Sequence, residues 1–259
     1  MNIVFVGDVF ASPGREFLAK HLPSLIEKYD ADLVVANAEN AAGGTGLTPE
    51  VAQELYSSGV DVLTSGNHIW DKKEILPHLD SDKRILRPAN YPPGVPGRGA
   101  GIFQSRSGQT VGVINVAGRV FSPQDLDCPF RCLDLEIVKM RQSTSIVIVD
   151  FHAEATSEKI AAGYYVDGRV SALFGTHTHV QTADDRILPN GTAYITDAGM
   201  TGSYEGIIGV KREIIQRRFL TQLPVRHEPD RGKRQLNGVF CEVSASGAAR
   251  TIERILILE

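Results

Sequence analysis

The sequence has few of the residues that build disulfide frameworks, zinc-thiolate sites or membrane spans. Its three cysteines are an odd and sparse set among 259 residues, and Cys128 and Cys132 lack a second cysteine or histidine pair at zinc-finger spacing. No apolar run approaches the roughly 20 residues that a membrane-spanning helix needs. The start MNIVFVGD has no basic segment, apolar segment or cleavage site of an export signal. We therefore expect a cytoplasmic protein outside the membrane.

An excess of positive charge is also absent. The formal net charge is -4 and the pI is about 6.0. Such a chain offers no basic field for a long polyanion, although a local group of cations or a bound metal could still hold one phosphate. We expect no stable complex with a nucleic acid.

Short β-branched runs that alternate with helical patterns are abundant. The alternation is typical of strands buried on both faces with helices packed outside, an α/β architecture. The strand-like runs are NIVFVGD, ADLVVANAEN, VDVLTSGNH, TSIVIVDFHAE, VSALFGTHTH and TAYITDAG. Helices are predicted over Arg15 to Tyr29, Thr48 to Ser57 with Thr48 as the N-cap, Lys72 to Leu79, Thr156 to Ala162 and Val210 to Arg218.

Two stretches break this alternation. AGIFQSRSGQTVGVINVAG turns at SGQ, and NGVFCEVSASGAARTIERILIL turns around SASGA, so both predict antiparallel hairpins. We expect them to form a second, more antiparallel sheet on the first, in a four-layer α/β/β/α sandwich. With no repeat or convincing linker, residues 1–259 are predicted to form a single domain. The Pro- and Gly-rich segment from Arg87 to Gly101 is predicted to be a surface loop.

Oxygen and imidazole side chains follow five of the predicted strands. They are Asp8; Asn37, Glu39 and Asn40; Asn67 and His68; His152 and Glu154; and His177 and His179. Each alone also fits a turn, a helix cap or a histidine satisfied by a carbonyl. Because carboxyl ends of parallel strands meet at one rim, the set together predicts a metal site, since a buried carboxylate beside imidazoles needs a compensating cation.

The segment GTHTHV places two imidazoles two positions apart after a buried run. In an extended chain His177 and His179 point the same way, about 6 to 7 Å apart at the backbone. Two metals roughly 3.5 to 4 Å apart could each bind one of them. Such a centre needs a bridging carboxylate, and Glu39 is the natural candidate. A single zinc would more readily use HExxH on a helix, which the chain lacks.

The ordered set GD, NAEN, GNH, FH and GTHTH resembles the calcineurin-like metallophosphoesterases over nearly the whole chain, and NAEN, GNHIWD and DAGMTGSYEGIIG resemble its bacterial branch of 2′,3′-cyclic-nucleotide 2′-phosphodiesterases. The resemblance implies His68 as the proton donor and Glu39 as a ligand of both metals. The other implied ligands are Asp8, Asn40 and His179 for one metal, and Asn67, His152 and His177 for the other.

The chain departs twice from the wider superfamily pattern. Asp8 is followed by Val9 and Phe10 instead of the usual Asp-x-His, and NAEN replaces Gly-Asp-x-x-Asp. Mixed imidazole, amide and carboxylate ligands suit iron, manganese or zinc. The resemblance implies two such ions, with iron or manganese ahead of zinc.

The activity implied is hydrolysis of 2′,3′-cyclic nucleotides to 3′-nucleotides, and of other phosphate esters, by a metal-bridged hydroxide with His68 as the acid. A small nucleotide or phosphodiester is then the substrate. One alternative is a regulatory protein that binds metal or nucleotide without turnover, which would not need His68. A di-metal amidohydrolase is another, but its paired histidines normally follow the first strand.

Substrate recognition and self-association stay open at this level. Base or phosphate contacts are conceivable from two loops, although ordinary surface positions explain these residues equally well. The residues are Arg87, Asn90, Tyr91 and Arg98 in the first loop, and Thr201, Ser203 and Tyr204 in the second. Glu154 could orient a ligand imidazole. The hairpin edges could support a homo-oligomer.

Overall fold

Thirteen strands and six α-helices alternate along residues 1–259 in the computed structural model. The strands are β1 (Asn2–Val6), β2 (Asp8–Val9), β3 (Leu33–Asn37), β4 (Val62–Thr64), β5 (Ala100–Gln104), β6 (Thr110–Ala117), β7 (Val147–His152), β8 (Ala172–Thr176), β9 (Arg186–Ile187), β10 (Ala193–Ile195), β11 (Met200–Ser203), β12 (Arg234–Val243) and β13 (Ala249–Leu258). All six predicted strand-like runs contain one of them.

Five of the six helices lie where helices were predicted, and most of these differ from the prediction at their ends. The six helices are α1 (Ala11–Tyr29), α2 (Pro49–Ser57), α3 (Leu76–Ser81), α4 (Pro129–Met140), α5 (Thr156–Val166) and α6 (Arg212–Thr221), with a 3₁₀ turn at Lys73–Ile75. Thr48 caps α2 as predicted, because its hydroxyl oxygen accepts a hydrogen bond from the Val51 amide at 3.3 Å. Helix α4 was not predicted. None of these helices is both long and apolar enough to cross a membrane.

Helix α1 begins four residues before the predicted start because its first turn is built from small residues that fit against β11. A Cβ atom on Gly14 would lie 2.1 Å from the carbonyl oxygen of Thr201. Only glycine allows so close an approach. The helix therefore starts directly behind Asp8 and holds the loop at the end of the first strands.

The strands form two mixed sheets. In the first, the strand order is β2, β11, β12, β1, β3 and β4, and β13 also pairs with β12; in the second it is β5, β6, β7, β8, β10 and β9. Strands β1, β3 and β4 are parallel, as are β6, β7, β8 and β10. Both predicted hairpins form, β5 with β6 and β12 with β13.

The hairpins do not share a second sheet, and that part of the prediction was wrong. The C-terminal hairpin joins the first sheet because β12 pairs antiparallel with β1, from Asn2 opposite Glu242 to Val6 opposite Gly238. The other hairpin lies at an edge of the second sheet through β6 and β7. Each sheet is therefore mixed, with a hairpin of its own.

Alternating side chains of the central strands divide the core into layers. Ile3 and Phe5 of β1 lie between the two sheets, where the ring centroids of Phe5 and Phe174 are 5.2 Å apart. Val4 and Val6 belong to a separate core beneath α1 and α2. A third core lies between the second sheet and helices α4 and α5. The predicted four-layer α/β/β/α sandwich is confirmed.

Candidate metal centre

The carboxyl ends of strands from both sheets meet at one edge of the sandwich. Beyond β1, β3 and β4 of the first sheet come Asp8, Glu39 with Asn40, and Asn67 with His68; from β7 and β8 of the second come His152, His177 and His179. A continuous series of contacts of 3.8 Å or less links all eight predicted site residues. The prediction placed these strand ends at one rim, and in the structure two facing sheets supply them.

Three of the predicted ligands surround the Nε2 atom of a fourth, His152. That atom lies 3.1 Å from Glu39 Oε1, 3.2 Å from Asn67 Oδ1 and 3.0 Å from His177 Nδ1. Ligand atoms of Glu39, His152 and His177 all lie within 4.8 Å of one another. These four side chains are the ones that the resemblance assigns to one metal.

The other predicted ligands meet at the imidazole of His179. Its Nε2 atom lies 3.2 Å from Asn40 Oδ1 and 3.8 Å from Asp8 Oδ1. The amide of Asn40 is oriented by a hydrogen bond that Nδ2 donates to the Gly44 carbonyl at 3.0 Å. The second oxygen of Asp8 accepts from the His177 amide at 3.1 Å, so the loop that carries the histidines is joined to the first strand.

A buried polar network fixes the orientation of His152. Its Nδ1–H donates to the hydroxyl of Thr176 at 2.8 Å, and that hydroxyl donates to Asp150 at 2.7 Å. The Asn37 amide donates to the other Asp150 oxygen at 3.0 Å. Partners of this kind fix the orientation of a ligand imidazole, so the Nε2 atom of His152 is directed at Glu39 and Asn67.

The loop from His177 to His179 is not extended, contrary to prediction. Strand β8 ends at Thr176, and His177 and His179 have φ angles of 105° and 64°, a region that side chains other than glycine rarely occupy. The two imidazoles consequently turn to different ligand groups, His177 towards His152 and His179 towards Asn40. Both imidazoles lie at the predicted edge of the sandwich. The prediction that an extended chain points them in the same direction was wrong.

A buried ion pair supports this strained loop. The Asp197 carboxylate accepts from the Thr178 amide at 3.0 Å and from the Thr178 hydroxyl at 2.8 Å. It also lies 2.7 Å from the ammonium of Lys159 on α5, and both side chains are almost fully buried. Neither residue was singled out from the sequence, although a carboxylate directly after the apolar run TAYIT is an available signal.

Lys159→Met is expected to lower the free energy of unfolding by about 3–5 kcal/mol, because it leaves the Asp197 carboxylate buried and unpaired. Urea unfolding of metal-depleted protein measures the effect without a contribution from bound ions. The matched control is Lys211→Met, which removes an equally short pair with Glu228 at 2.7 Å on the surface. The control is expected to leave the midpoint unchanged; equal losses in both variants would contradict the buried pair's role.

Burial and charge set the protonation of the cluster. Burial raises the pKa of Asp8 well above its usual range. Burial acts in the same direction on Glu39, but the charge of His152 and its hydrogen bond outweigh it and lower the pKa of Glu39 to about 2. Burial alone would lower the pKa of His152, yet the Glu39 carboxylate raises it to about 9.

The pKa values of the other two candidate ligand histidines, His177 and His179, are lowered. Burial, together with the positive charge of His152, lowers the pKa of His177 to about 3, and burial lowers the pKa of His179. His179 Nδ1–H donates to the Ile208 carbonyl at 3.1 Å, and His177 Nε2 lies 3.2 Å from the Glu154 carboxylate. Glu154 thus contacts one of the predicted ligand imidazoles, and its role in orienting that imidazole stays a prediction. The other nitrogen of each ring keeps its lone pair for the cluster.

The donor set fits divalent cations. Around His179 Nε2 the neighbours are oxygen atoms of Asn40 and Asp8, which are acceptors, and Asp8 Oδ1 is buried with no hydrogen-bond partner. Facing acceptors without a donor are unfavourable unless a cation lies between them. Gly66 leaves the room for this arrangement, because a Cβ atom there would lie 2.2 Å from His152 Nε2 and 2.3 Å from Glu39 Oε2.

His68 lies beside the ligands but points into the open cleft. Its backbone amide donates to Glu39 Oε2 at 3.2 Å, and its Nδ1 atom lies 2.8 Å from the Asp71 carboxylate. The imidazole lines a large cavity shared with Glu39, Asn40, His177 and others. With Nδ1 bonded to Asp71, the Nε2 atom is the one left for a substrate.

Most residues suggested for substrate recognition have structural contacts instead. The Arg87 guanidinium donates to three carbonyl groups of its own loop, at Pro88, Pro96 and Gly97. The Asn90 amide bonds to the chain at Ala117 and Asp127. Thr201 and Ser203 are buried, and Tyr204 lines a different cavity. Tyr91 packs edge-on against Trp70.

Two mixed sheets bring carboxylate, amide and imidazole groups to one edge in a metallophosphoesterase-type fold, and comparison with known structures confirms this fold. The 5′-nucleotidase precursor of Thermus thermophilus has the same fold, with a TM-score of 0.58 at 11% identity over 100% of this chain and 54% of that one. Metallophosphoesterases use divalent metal ions, and the Glu39, His152 and His177 cluster is a candidate site for them.

The chain belongs to the YmdB-like protein family, whose profile matches residues 4–255. It is 51% identical over 258 residues to the 2′,3′-cyclic-nucleotide 2′-phosphodiesterase of Bacillus subtilis (strain 168), covering 99% of this chain and 97% of that protein. The crystal structure of a novel phosphatase from Mycoplasma pneumoniae superimposes with a TM-score of 0.94 at 37% identity, covering 100% of this chain and 93% of that one. The predicted family is confirmed.

Proposed function

We propose that the protein is a metal-dependent phosphodiesterase that hydrolyses 2′,3′-cyclic nucleotides to 3′-nucleotides. The observation that carries the proposal is the convergence of acceptor atoms from both sheets around His152 and His179, with an unpaired buried oxygen of Asp8 among them. The B. subtilis relative, which is named for this reaction, supports the choice of substrate.

Seven side chains are then metal ligands in the proposed centre. Asp8, Glu39, Asn40 and His179 would hold one metal, and Glu39, Asn67, His152 and His177 the other. When bound, the two ions neutralise phosphate charge and make a water molecule nucleophilic at neutral pH. Mixed nitrogen and oxygen ligands suit iron or manganese, with zinc as the alternative.

The chain's own contribution to bond cleavage centres on His68. A water molecule attacks the phosphorus atom and releases a proton to the solvent, the bond from phosphorus to the 2′ oxygen breaks, and His68 Nε2 donates a proton to that oxygen. The product is a 3′-monoester with a free 2′ hydroxyl. Asp71 holds the imidazole for this transfer through Nδ1 at 2.8 Å. Because Asn67 is neutral, it adds no charge that would repel the phosphodiester.

A substrate panel tests the proposal directly. Metal-depleted protein is reloaded with Fe²⁺, Mn²⁺ or Zn²⁺ and assayed with adenosine 2′,3′-cyclic phosphate, adenosine 3′,5′-cyclic phosphate, a linear diester and a monoester. We expect the 2′,3′-cyclic substrate to react fastest, with 3′-AMP as the product on chromatography and no reaction in excess chelator. Formation of 2′-AMP would contradict the bond assignment, and inactivity with every metal would favour a binding protein without turnover.

Three further properties stay predictions. We propose that the protein works in the cytoplasm on a small-molecule substrate and that residues 1–259 form one domain. The edge strands leave room for a homo-oligomer. Limited proteolysis and sedimentation of the native protein address the last two.

A further inference from the structure

The large cavity at the metal centre extends well beyond the predicted ligands. It has a volume of about 810 Å³, and Glu39, Asn40, His177 and His179 line one end of it. Typical ligand sites in proteins have volumes of about 300–1,000 Å³. The cavity therefore has room for much more than a phosphate group.

Part of the lining of this cavity is apolar, and two of its apolar residues come from one face of α6. Ile215 and Phe219 are four residues apart, so they lie on the same side of the helix, and Val225 and Ile208 extend the surface. Phe219 is 70% exposed. We call Ile208, Ile215, Phe219 and Val225 the apolar shelf.

Ile208 joins the apolar shelf to the metal centre. Its φ angle of 46° is rare for a β-branched residue. In this conformation its carbonyl accepts the hydrogen bond from His179 Nδ1 at 3.1 Å, while half of its side chain stays exposed in the cavity. Backbone strain of this kind concentrates at functional sites. The loop thus positions a metal ligand and the start of the shelf together.

A cationic group lies at the far end of the shelf. Arg218 lines the cavity beside Phe219, and its Nη1 atom donates to His227 Nε2 at 3.5 Å. Arg218 forms no salt bridge with a carboxylate. Its remaining N–H groups are therefore free to donate to carbonyl or ring-nitrogen acceptors of a ligand.

We infer that the apolar shelf binds the base of the nucleotide while the phosphate lies at the metal centre. The inference rests on the proposed phosphodiesterase function. An aromatic ring on an apolar wall, with a guanidinium at its edge, suits a planar heterocycle that has acceptors along its rim. Phe219 stacks on the base, and Arg218 bonds to its edge.

Another exposed aromatic ring near the centre, Phe121, does not offer such a site. Phe121 lies beside Asn67 and His152, but the cavity there has a volume of only about 70 Å³. A nucleobase does not fit that space, whereas it fits over α6. Phe121 is therefore a useful comparison for the test.

The test compares two substrates that differ only in the base. Adenosine 2′,3′-cyclic phosphate and 1-O-methylribose 2′,3′-cyclic phosphate are assayed with manganese-loaded protein. Phe219→Ala is expected to lower kcat/KM for the adenosine substrate about 10-fold, through KM, because base stacking contributes on this scale. The base-free substrate is expected to react as in the wild type, and Phe219→Trp is expected to restore the preference.

Leu220→Ala is the matched control, because Leu220 is the next residue of α6 and is 84% exposed but does not line the cavity. It and Phe121→Ala are expected to leave both substrates unchanged. The inference is overturned if the wild type does not prefer the adenosine substrate, or if Phe219→Ala slows both substrates equally.

Inactivity of the wild type on both substrates would instead contradict the proposed function. Calorimetric binding of adenosine 3′-monophosphate and ribose 3-phosphate then decides about the shelf. The inference is supported if Phe219→Ala weakens binding of adenosine 3′-monophosphate but not of ribose 3-phosphate. It is overturned if the variant and the wild type bind adenosine 3′-monophosphate equally.

Discussion

Glu39→Ala is expected to remove both metal ions and to reduce phosphodiesterase activity to the background level. Glu39 is buried, its Oε1 atom lies 3.1 Å from His152 Nε2, and its Oε2 atom accepts from the His68 amide at 3.2 Å. As the only carboxylate assigned to both metals, it supplies charge to each. The loss should exceed the roughly 10- to 100-fold effect of removing an outer-shell hydrogen bond. Metal analysis of the purified variant measures the loss of the ions, and a phosphodiesterase assay measures the loss of activity.

The matched control for this change is another buried glutamate. Glu158 on α5 accepts from the amides of Arg119 and Val120 at 3.0 to 3.2 Å and contacts none of the predicted ligands. Glu158→Gln is expected to keep its full metal content. Glu39→Gln, which preserves the size of the side chain, separates the effect of charge from the effect of a cavity. Two ions per chain in Glu39→Ala would refute the bridging role.

Removal of the metals gives an independent measure of the same centre. A ligand that binds only the folded state raises the free energy of unfolding by about 2.7 kcal/mol at 100 times its Kd. A chelator should therefore lower the thermal midpoint of the wild type but leave that of Glu39→Ala unchanged. The chelator also exposes the repulsion between Asp8 and Glu39, since each carboxylate is buried at the same edge.

The strands were predictable because β-branched runs end at polar residues, but their division between two sheets was not. Ile3 and Phe5 face the second sheet while Val4 and Val6 face α1, and all four are apolar. Nothing in such a run distinguishes the side that meets a sheet from the side that meets a helix. The pairing of β1 with β12 is a long-range contact that no local pattern specifies.

The sequence predicted which residues lie at the candidate site wherever those residues directly follow a strand. Positions such as Glu39 and His152 follow from the rule that strand ends converge, together with the resemblance. The orientation of His177 and His179 was not predictable, because their positive φ angles depend on Asp197 at the end of a different strand. Asp150 was missed because a carboxylate inside an apolar strand has no partner nearby in the sequence. In the fold its partner is Thr176, whose hydroxyl donates to the Asp150 carboxylate.

His68→Ala is expected to lower kcat for 2′,3′-cyclic nucleotides by about 10²- to 10⁴-fold, the usual contribution of a positioned general acid. Metal content should stay near that of the wild type, because the imidazole points away from the ligands and only its backbone amide contacts Glu39. Activity assays and metal analysis of the same preparation separate the two effects. His78→Ala, an exposed histidine whose Nδ1 bonds to its own helix, is the control.

The leaving group distinguishes proton donation from other roles of His68. A p-nitrophenolate leaves without help from an acid, whereas the 2′ oxygen of ribose must be protonated as its bond to phosphorus breaks. His68→Ala should therefore slow a p-nitrophenyl diester far less than a cyclic nucleotide. Asp71→Asn, which weakens the 2.8 Å contact that orients the imidazole, should show the same preference to a smaller degree. An equal loss on both substrates would mean that His68 binds phosphate instead of donating a proton.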